Sequence, residues 1–220
     1  MEQVITAIES VKGSRKRRIY VNDEWKFSLY PAQVRQYGIE EGMGLSGALY
    51  EEICRETLLP QAKKRVLNLL IAKDRSRREL LGKLSDDGYP EEVCTMAVEY
   101  AQGYHYVDDL RYAVTYLRAH GEEKSRIQLF MKLKEKGIPR EVADEAFETV
   151  RAERMELYGE EFEEAEITAL RRQIAKKVKD PAALSEKEAA KLMASLAAKG
   201  FSLRDIRDVL GTVVLSGGEF

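Results

Sequence analysis

The sequence predicts a mainly α-helical protein built from three tandem three-helix repeats, preceded by a small β hairpin or meander. Two observations predict this class. From about residue 46 onward the chain is rich in strong helix formers, Ala, Leu, Glu, Lys and Arg. One pattern of serine, leucine and glycine also recurs three times within this helical part. Repeats of this kind bury their faces against their neighbours, so we expect an elongated, curved array.

The leading segment, residues 1–45, has the pattern of short strands. Apolar and polar residues alternate over 19–21 and 25–29, which is the period of a half-buried strand. Turn-forming residues lie at 12–14 and 22–23, and these turns separate two or three antiparallel strands. A short helix is expected after Pro31, followed by a glycine-rich loop over 38–47.

The repeat is most visible around three glycines, Gly88, Gly137 and Gly200. A leucine stands four residues before each glycine and another stands eight before it. Apolar residues at six, nine, ten and thirteen positions after each glycine form an i, i+3, i+4, i+7 stripe. Each glycine therefore separates two amphipathic helices. Glycine adopts the left-handed conformation that ends a helix, so the next residue is expected to pack back on the helix.

Each of these helix pairs also has a start signal. Ser76, Ser125 and Ser185 are each followed three residues later by Glu or Gln, the arrangement of a capping box. The serine lies twelve residues before the glycine in the first two repeats and fifteen before it in the third. The helix pair of the third repeat should therefore begin with about one extra turn.

A further helix is expected before each pair, at about 61–73, 108–119 and 160–178, with Asp108 as the N-cap of the second. The glycines are 49 and 63 residues apart, and we assign the extra residues to a longer helix near 156–178. The chain is thus expected to divide into a β leader over 1–45 and repeats over 46–107, 108–155 and 156–220.

The composition argues against several functional classes. The 36 basic and 38 acidic residues give a net charge of −2, so no global attraction to nucleic acid is expected. Two cysteines and two histidines form no zinc pattern. No signal peptide or membrane-spanning run is visible. We expect a cytoplasmic monomer that is not an enzyme and has no metal, cofactor or membrane partner.

Local charge is sorted in the first repeat. Eight cations and only two acids lie between residues 63 and 83, which leaves 8 − 2 = +6. Such a region can contact DNA phosphates or an acidic protein, although a solvated helical face is the alternative. The cations are Lys63, Lys64, Arg65, Lys73, Arg75, Arg77, Arg78 and Lys83.

A second, weaker cationic set falls in the second repeat and could line the same concave surface. It consists of Arg111, Arg118, Lys124, Arg126 and Lys132. Glutamates at 156, 160, 161, 163, 164 and 166 form an opposing acidic block.

Other polar and aromatic residues allow two interpretations each. Five tyrosines between residues 100 and 116 can stack on unpaired bases, but packing between the first and second repeats is favoured. Asp108 and Asp109 can form an acid–base or metal pair, but helix capping explains them more simply. The glycines of 42–47 match a dinucleotide fingerprint by letter, although no βαβ unit surrounds them.

Several segments resemble the RecX family. The segment 76–88 resembles its first repeat, and Arg126, Leu133 and 136–138 resemble its second. Tyr106-Val107-Asp108-Asp109, followed by Arg111-Tyr112-Ala113, resembles its most recognisable segment, usually Tyr-Leu-Asp-Asp and then Arg-Phe-Ala. The resemblance is strong over 60–150 and weak in the third repeat, and the β leader is similar to that of Gram-positive members.

The resemblance implies a modulator of the RecA recombinase. Such a protein binds in the groove of the RecA–DNA filament and inhibits its ATPase and strand-exchange activities. In addition to the contact with RecA, we expect weak, sequence-independent contact with single- or double-stranded DNA. The alternative that the residues leave open is a stand-alone, sequence-independent DNA-binding repeat protein.

Overall fold

The computed structural model describes residues 3–159, 163–179, 181 and 184–216, with side chains up to residue 211. The chain divides into two compact units, with the boundary between Asp108 and Asp109. The first unit holds the β leader and the first helices, and the second unit holds the remaining helices.

The leader forms the expected antiparallel sheet, with strand order β1-β2-β3. The strands are β1 (Ile5–Ser10), β2 (Arg17–Val21) and β3 (Glu24–Leu29). Ile5, Ile19 and Phe27 are fully buried and join one core with the helices of the first unit. This packing supplies the support that a small isolated sheet lacks in water. The short helix predicted after Pro31 is α1 (Pro31–Gln36).

One continuous helical run follows the glycine-rich loop, and its last part confirms the helix expected over 61–73. It comprises α2 (Gly47–Glu52), a π-helical segment (Ile53–Leu58) and α3 (Leu59–Ala72). Pro60 lies inside this run, where its ring and missing N–H would disturb a regular α-helix. The wider π turn, in which the Leu59 N–H reaches back to the Cys54 carbonyl, directly precedes the proline. Pro60 is thus the second residue of α3, in the first turn where proline is tolerated.

The remaining helices follow the three-repeat pattern. They are α4 (Arg77–Asp86), α5 (Glu91–Gly103), α6 (Asp109–His120), α7 (Arg126–Glu135), α8 (Arg140–Tyr158), α9 (Ala165–Ala175), α10 (Glu186–Ala197) and α11 (Leu203–Ser216). The helix α10 is two residues longer than α4 and α7, as the earlier start of its capping box predicted.

The predicted start and stop signals are confirmed in all three repeats. Ser76, Ser125 and Ser185 each accept the backbone N–H three residues ahead and complete a capping box. Gly88, Gly137 and Gly200 all have positive φ. The N–H that follows each glycine bonds back to the carbonyl of the predicted leucine, Leu84, Leu133 or Leu196. Because these bonds satisfy the last carbonyls of each helix, they fix the angle to the next helix.

The helix predicted near 156–178 is wrong in its extent. The helix α8 continues to Tyr158, so the expected boundary at 155 falls inside it, and the first helix of the third repeat is only Ala165–Ala175. Within the described residues, α8 carries part of the extra length, since it is six residues longer than α5. Residues 160–162 of the predicted helix lie outside the described part of the chain.

Three buried clusters form the cores of the two units. The first joins the sheet to α3, α4 and α5, the second lies among α6, α7 and α8, and the third among α9, α10 and α11. All six predicted leucines are buried. Of the predicted downstream stripes, the side chain of Val213 lies outside the described residues.

Candidate interaction surfaces

The cations of the first repeat are centred on the connection between α3 and α4. We call residues 73–78 the basic connection, since Lys73, Arg75, Arg77 and Arg78 fall within it. Ser76 at its centre is fully buried and caps α4 through the Glu79 N–H at 3.2 Å. The cap fixes the backbone of the connection, so the residues that carry these cations lie around the start of α4.

The three cations on α3 do not share one face. Lys63, Lys64 and Arg65 are consecutive, and consecutive residues of an α-helix project about 100° apart. The Lys63 ammonium lies 4.2 Å from the centroid of the Tyr100 ring, whereas the Arg65 guanidinium bonds Asp87 at 2.6 Å. The cations of α3 therefore do not form one face, and Lys64 is the exposed member of the three.

The basic connection keeps most of its charge uncompensated. Lys73, Arg75 and Arg78 have no carboxylate within 4 Å in the described part of the chain. The Nε of Arg75 is buried and lacks a hydrogen-bond partner among the described residues. Lys83, further along α4, approaches Asp86 at 3.8 Å. Within the eight-cation cluster, the charge available to a partner is thus concentrated around residues 73–78.

The second cationic set is largely neutralised by neighbouring carboxylates. Arg118 forms a two-point pair with Glu153, at 2.6 and 2.9 Å. The other pairs are Lys124–Glu123 at 3.8 Å, Arg126–Asp144 at 3.5 Å and Lys132–Glu135 at 2.7 Å. Arg111 is exposed on α6. Because neighbouring carboxylates compensate these cations, little positive charge is left to attract a phosphate or an acidic partner. A binding role for this set stays a prediction.

A denser basic segment in the leader was missed by the sequence reasoning, which treated residues 12–14 only as turn material. Five cations and no acid occur within residues 12–18, namely Lys12, Arg15, Lys16, Arg17 and Arg18. A charge count in short windows would have found it. The turn between β1 and β2 carries this segment beside the end of α4 in the same unit.

The tyrosines separate into two groups. Tyr104 and Tyr106 are 59% and 53% exposed, and their rings stack with centroids 6.0 Å apart. For these two tyrosines, packing between repeats stays a prediction. Tyr112 and Tyr116 do pack against the core of α6, α7 and α8.

Several of the described acidic residues lie at a helix start or in ion pairs. Asp108 stands directly before α6, where its N-cap role was predicted, and Asp109 is the first residue of that helix. Glu163 and Glu164 pair with Arg171 and Arg151. Glu160 and Glu161 of the predicted acidic block lie outside the described residues. In the described ranges, no three His, Cys, Asp or Glu side chains cluster closely enough to hold a metal ion.

None of the helices in the described ranges combines the length and the apolar character needed to cross a bilayer.

Three capped three-helix domains that follow a small antiparallel sheet define the chain as a tandem helical-repeat protein. Its sequence matches three RecX domain families in order: the first three-helix domain over residues 62–100, the second over 108–146 and the third over 164–210. The chain belongs to the RecX family.

Curated relatives support this assignment. Regulatory protein RecX from Clostridium acetobutylicum is 27% identical over 53% of this chain and 55% of its own length. The protein of the same name from Caldanaerobacter subterraneus is 30% identical over 50% and 56%. The chain thus spans about half the length of these relatives. The match with Clostridium tetani RecX, at 23% identity, covers 97% of this chain and 96% of the relative.

Solved structures share the fold. A crystal structure of regulatory protein RecX superposes with a TM-score of 0.60 at 21% identity, over 96% of this chain and 99% of the other. RecX from Lactobacillus salivarius gives a TM-score of 0.57 at 20% identity, over 72% and 97%.

Proposed function

We propose that this protein regulates the RecA recombinase by binding in the groove of the RecA–DNA filament and inhibiting its ATPase and strand-exchange activities. Membership of the RecX family supports a regulatory role toward RecA. The proposal places the protein in recombination and DNA repair, including the SOS response, and in the cytoplasm. It assigns no chemical step to the chain itself.

The observation that carries the proposal is the uncompensated charge of the basic connection. Lys73, Arg75 and Arg78 surround a buried helix cap and have no carboxylate partner in the described chain. The cap holds the backbone of the connection in place, so binding to an anionic surface needs to order the side chains but not the backbone.

Direct contact with DNA is the secondary part of the proposal. Cations that face phosphates without reading bases give sequence-independent affinity that falls steeply with salt. The alternative function, stand-alone DNA binding, predicts strong affinity for DNA without RecA. The RecA-directed function instead predicts that binding to the filament exceeds binding to the same DNA when it is naked.

The test is the single-stranded-DNA-dependent ATP hydrolysis of purified RecA with increasing amounts of this protein. We expect suppression at near-equimolar or lower ratios. A variant with Lys64, Lys73 and Arg78 changed to Gln should require at least about tenfold more protein, because three uncompensated charges are lost. Arg75 and Arg77 are left unchanged, since both are partly buried.

A matched control removes three cations from the third repeat instead. Lys176, Lys187 and Lys191 are exposed and have no carboxylate within 4 Å in the described chain. Their change to Gln alters the net charge equally and should leave the suppression within about twofold of the parent. If the parent protein does not suppress hydrolysis at any ratio, the proposed function is wrong. If both triple variants behave alike, the basic connection is not the contact.

A further inference from the structure

The turn between β1 and β2 lies against the end of α4, and the two elements enclose a cleft of about 490 Å³. The sheet is fixed to this place by a backbone hydrogen bond from the Ser28 N–H to the Gly88 carbonyl at 3.1 Å. A Cβ added at Gly88 would lie 2.4 Å from Ser28 Oγ and 2.5 Å from the Trp25 ring. The sheet and the turn after α4 therefore pack closely against each other at this wall of the cleft.

Cations and aromatic rings alternate around this cleft. The hairpin contributes three basic side chains, Arg15, Lys16 and Arg18, which we call the hairpin cations. Three rings, Trp25, Tyr30 and Tyr89, line the same space. The Arg18 guanidinium lies 4.2 Å from the Trp25 centroid, and the Lys16 ammonium lies 4.3 Å from the Tyr89 centroid and 5.6 Å from the Tyr30 centroid.

Lys16 and Arg18 contact rings, and no hairpin cation forms an ion pair in the described part of the chain. Two acids also line the cleft, but Asp87 bonds Arg65 at 2.6 Å and Asp86 approaches Lys83 at 3.8 Å. None of the hairpin cations has a carboxylate within 4 Å in the part of the chain that the structure describes. Burial lowers the pKa of Lys16, and Asp87 only partly offsets this effect. An anion in the cleft would favour the charged lysine.

We propose that this cleft binds single-stranded nucleic acid, with the hairpin cations at its phosphates and exposed ring surface of Trp25 and Tyr30 available for stacking of its bases. Trp25 and Tyr30 are 37% and 39% exposed, so base stacking needs no rearrangement of the core. Ligand clefts commonly measure roughly 300–1,000 Å³, which suits about one nucleotide inside and the strand continuing past it. An acidic peptide would pair with the cations but would leave the rings without planar partners.

The site extends the DNA contact of the proposed function to the leader, and it can be tested without RecA. Trp25 is the single tryptophan of the chain, so its fluorescence reports directly on the cleft. We expect an unlabelled oligothymidylate of about 20 nucleotides, longer than one typical binding site, to quench this emission. The same protein should bind a fluorescein-labelled oligothymidylate in an anisotropy titration.

Changing Arg15, Lys16 and Arg18 to Gln should weaken oligothymidylate binding by about tenfold or more at low salt. The slope of log affinity against log salt should fall by about 2, since each phosphate contact contributes about 0.7 for single strands. Arg15→Gln alone changes an exposed side chain and should weaken binding about threefold while preserving the packing. The control is Lys187→Gln with Lys191→Gln, which should leave affinity and quenching unchanged. Circular dichroism checks the fold of each variant.

Three results would overturn the site. One is that the single and triple hairpin variants bind oligothymidylate with the same affinity as the parent protein. Another is quenching by polyglutamate equal to that by oligothymidylate, which would assign the cleft to an acidic protein. The third is an affinity for a duplex of the same length equal to that for oligothymidylate, which would show that base stacking does not contribute to binding. If a hairpin variant no longer binds oligothymidylate but still suppresses ATP hydrolysis by RecA, the cleft is not needed for the proposed function.

Discussion

The hydroxyl of Ser125 donates a hydrogen bond to the carbonyl oxygen of Lys199 at 2.5 Å, across 74 residues of sequence. The same hydroxyl accepts the Gln128 N–H at 3.3 Å and caps α7. One side chain thus caps the start of a helix in the second repeat and hydrogen-bonds the turn before Gly200 in the third. The two repeats are joined through the very residues that define the repeat.

Ser125→Ala should destabilise the protein by about 2–4 kcal/mol, because it removes a helix cap and leaves the Lys199 carbonyl without its donor. Ser185→Ala is the matched control: this serine forms the same capping box but is exposed. Its loss should cost only about 1 kcal/mol. Urea unfolding followed by circular dichroism measures both. Equal losses would show that the Lys199 bond contributes nothing.

Gly88→Ala should destabilise the first unit by about 2–5 kcal/mol, from a left-handed backbone and a clash with Ser28 and Trp25. Gly42→Ala separates these two causes. Gly42 has the same φ of +82°, but a Cβ there meets nothing within 4 Å. It should cost only the backbone strain, about 1–2 kcal/mol.

Urea unfolding followed by Trp25 fluorescence compares the two glycine variants. The emission spectrum of folded Gly88→Ala should also shift, because the indole ring must move away from the new methyl group. A Gly88 variant as stable as the Gly42 variant would mean that the sheet docks less tightly than this contact requires.

The sequence reasoning succeeded where the deciding interaction is local. Each capping serine, its partner three residues later and the helix-ending glycine lie within about four turns of helix, and all were placed correctly. The end of α8 also had a local signal. No glycine or proline interrupts the chain between Pro139 and Gly159, and the helix occupies all of that interval.

The candidate surfaces were harder to predict, because charge compensation depends on tertiary contacts. Arg118 and Glu153 are 35 residues apart, and Arg65 and Asp87 are 22 apart. A count along the sequence includes Arg118 and Arg65 as free charges, whereas the fold pairs them. The approach of the β1–β2 turn to Asp87 likewise depends on how the sheet docks, which one sequence does not reveal.

Glu122 gives the second unit a pH-dependent link among three elements. Its carboxylate contacts Arg154 of α8 and Arg172 of α9, the latter at 2.5 Å. The hydrogen bond from Arg154 is the main cause that lowers the pKa of Glu122. A carboxyl whose pKa is lower in the folded state contributes stability above its unfolded pKa of about 4.3 and loses it as the pH falls through the folded value.

Glu122→Gln should therefore cost about 2 kcal/mol at pH 7, and the difference from the parent should shrink below about pH 4. Unfolding in urea at several pH values measures this. Glu153→Gln is the control, because its pair with Arg118 is more exposed and should matter less. A Glu122 effect that does not vary with pH would mean that the charge of its carboxylate is not what stabilises the unit.

The two cysteines should differ in reactivity. Cys94 is buried on α5, its thiol donates to the Tyr89 carbonyl at 3.4 Å, and burial raises its pKa to about 11. Cys54 is only partly buried, although burial raises its pKa as well. At pH 8 the reactive thiolate of Cys94 is only about one part in a thousand, and reagent cannot reach it without opening of the core.

In a disulfide-exchange assay, the variant Cys94→Ser should therefore react faster than Cys54→Ser. Adding urea below the unfolding transition should accelerate Cys54→Ser more strongly. Equal rates for the two variants without urea would mean that α5 opens as readily as the surface around Cys54.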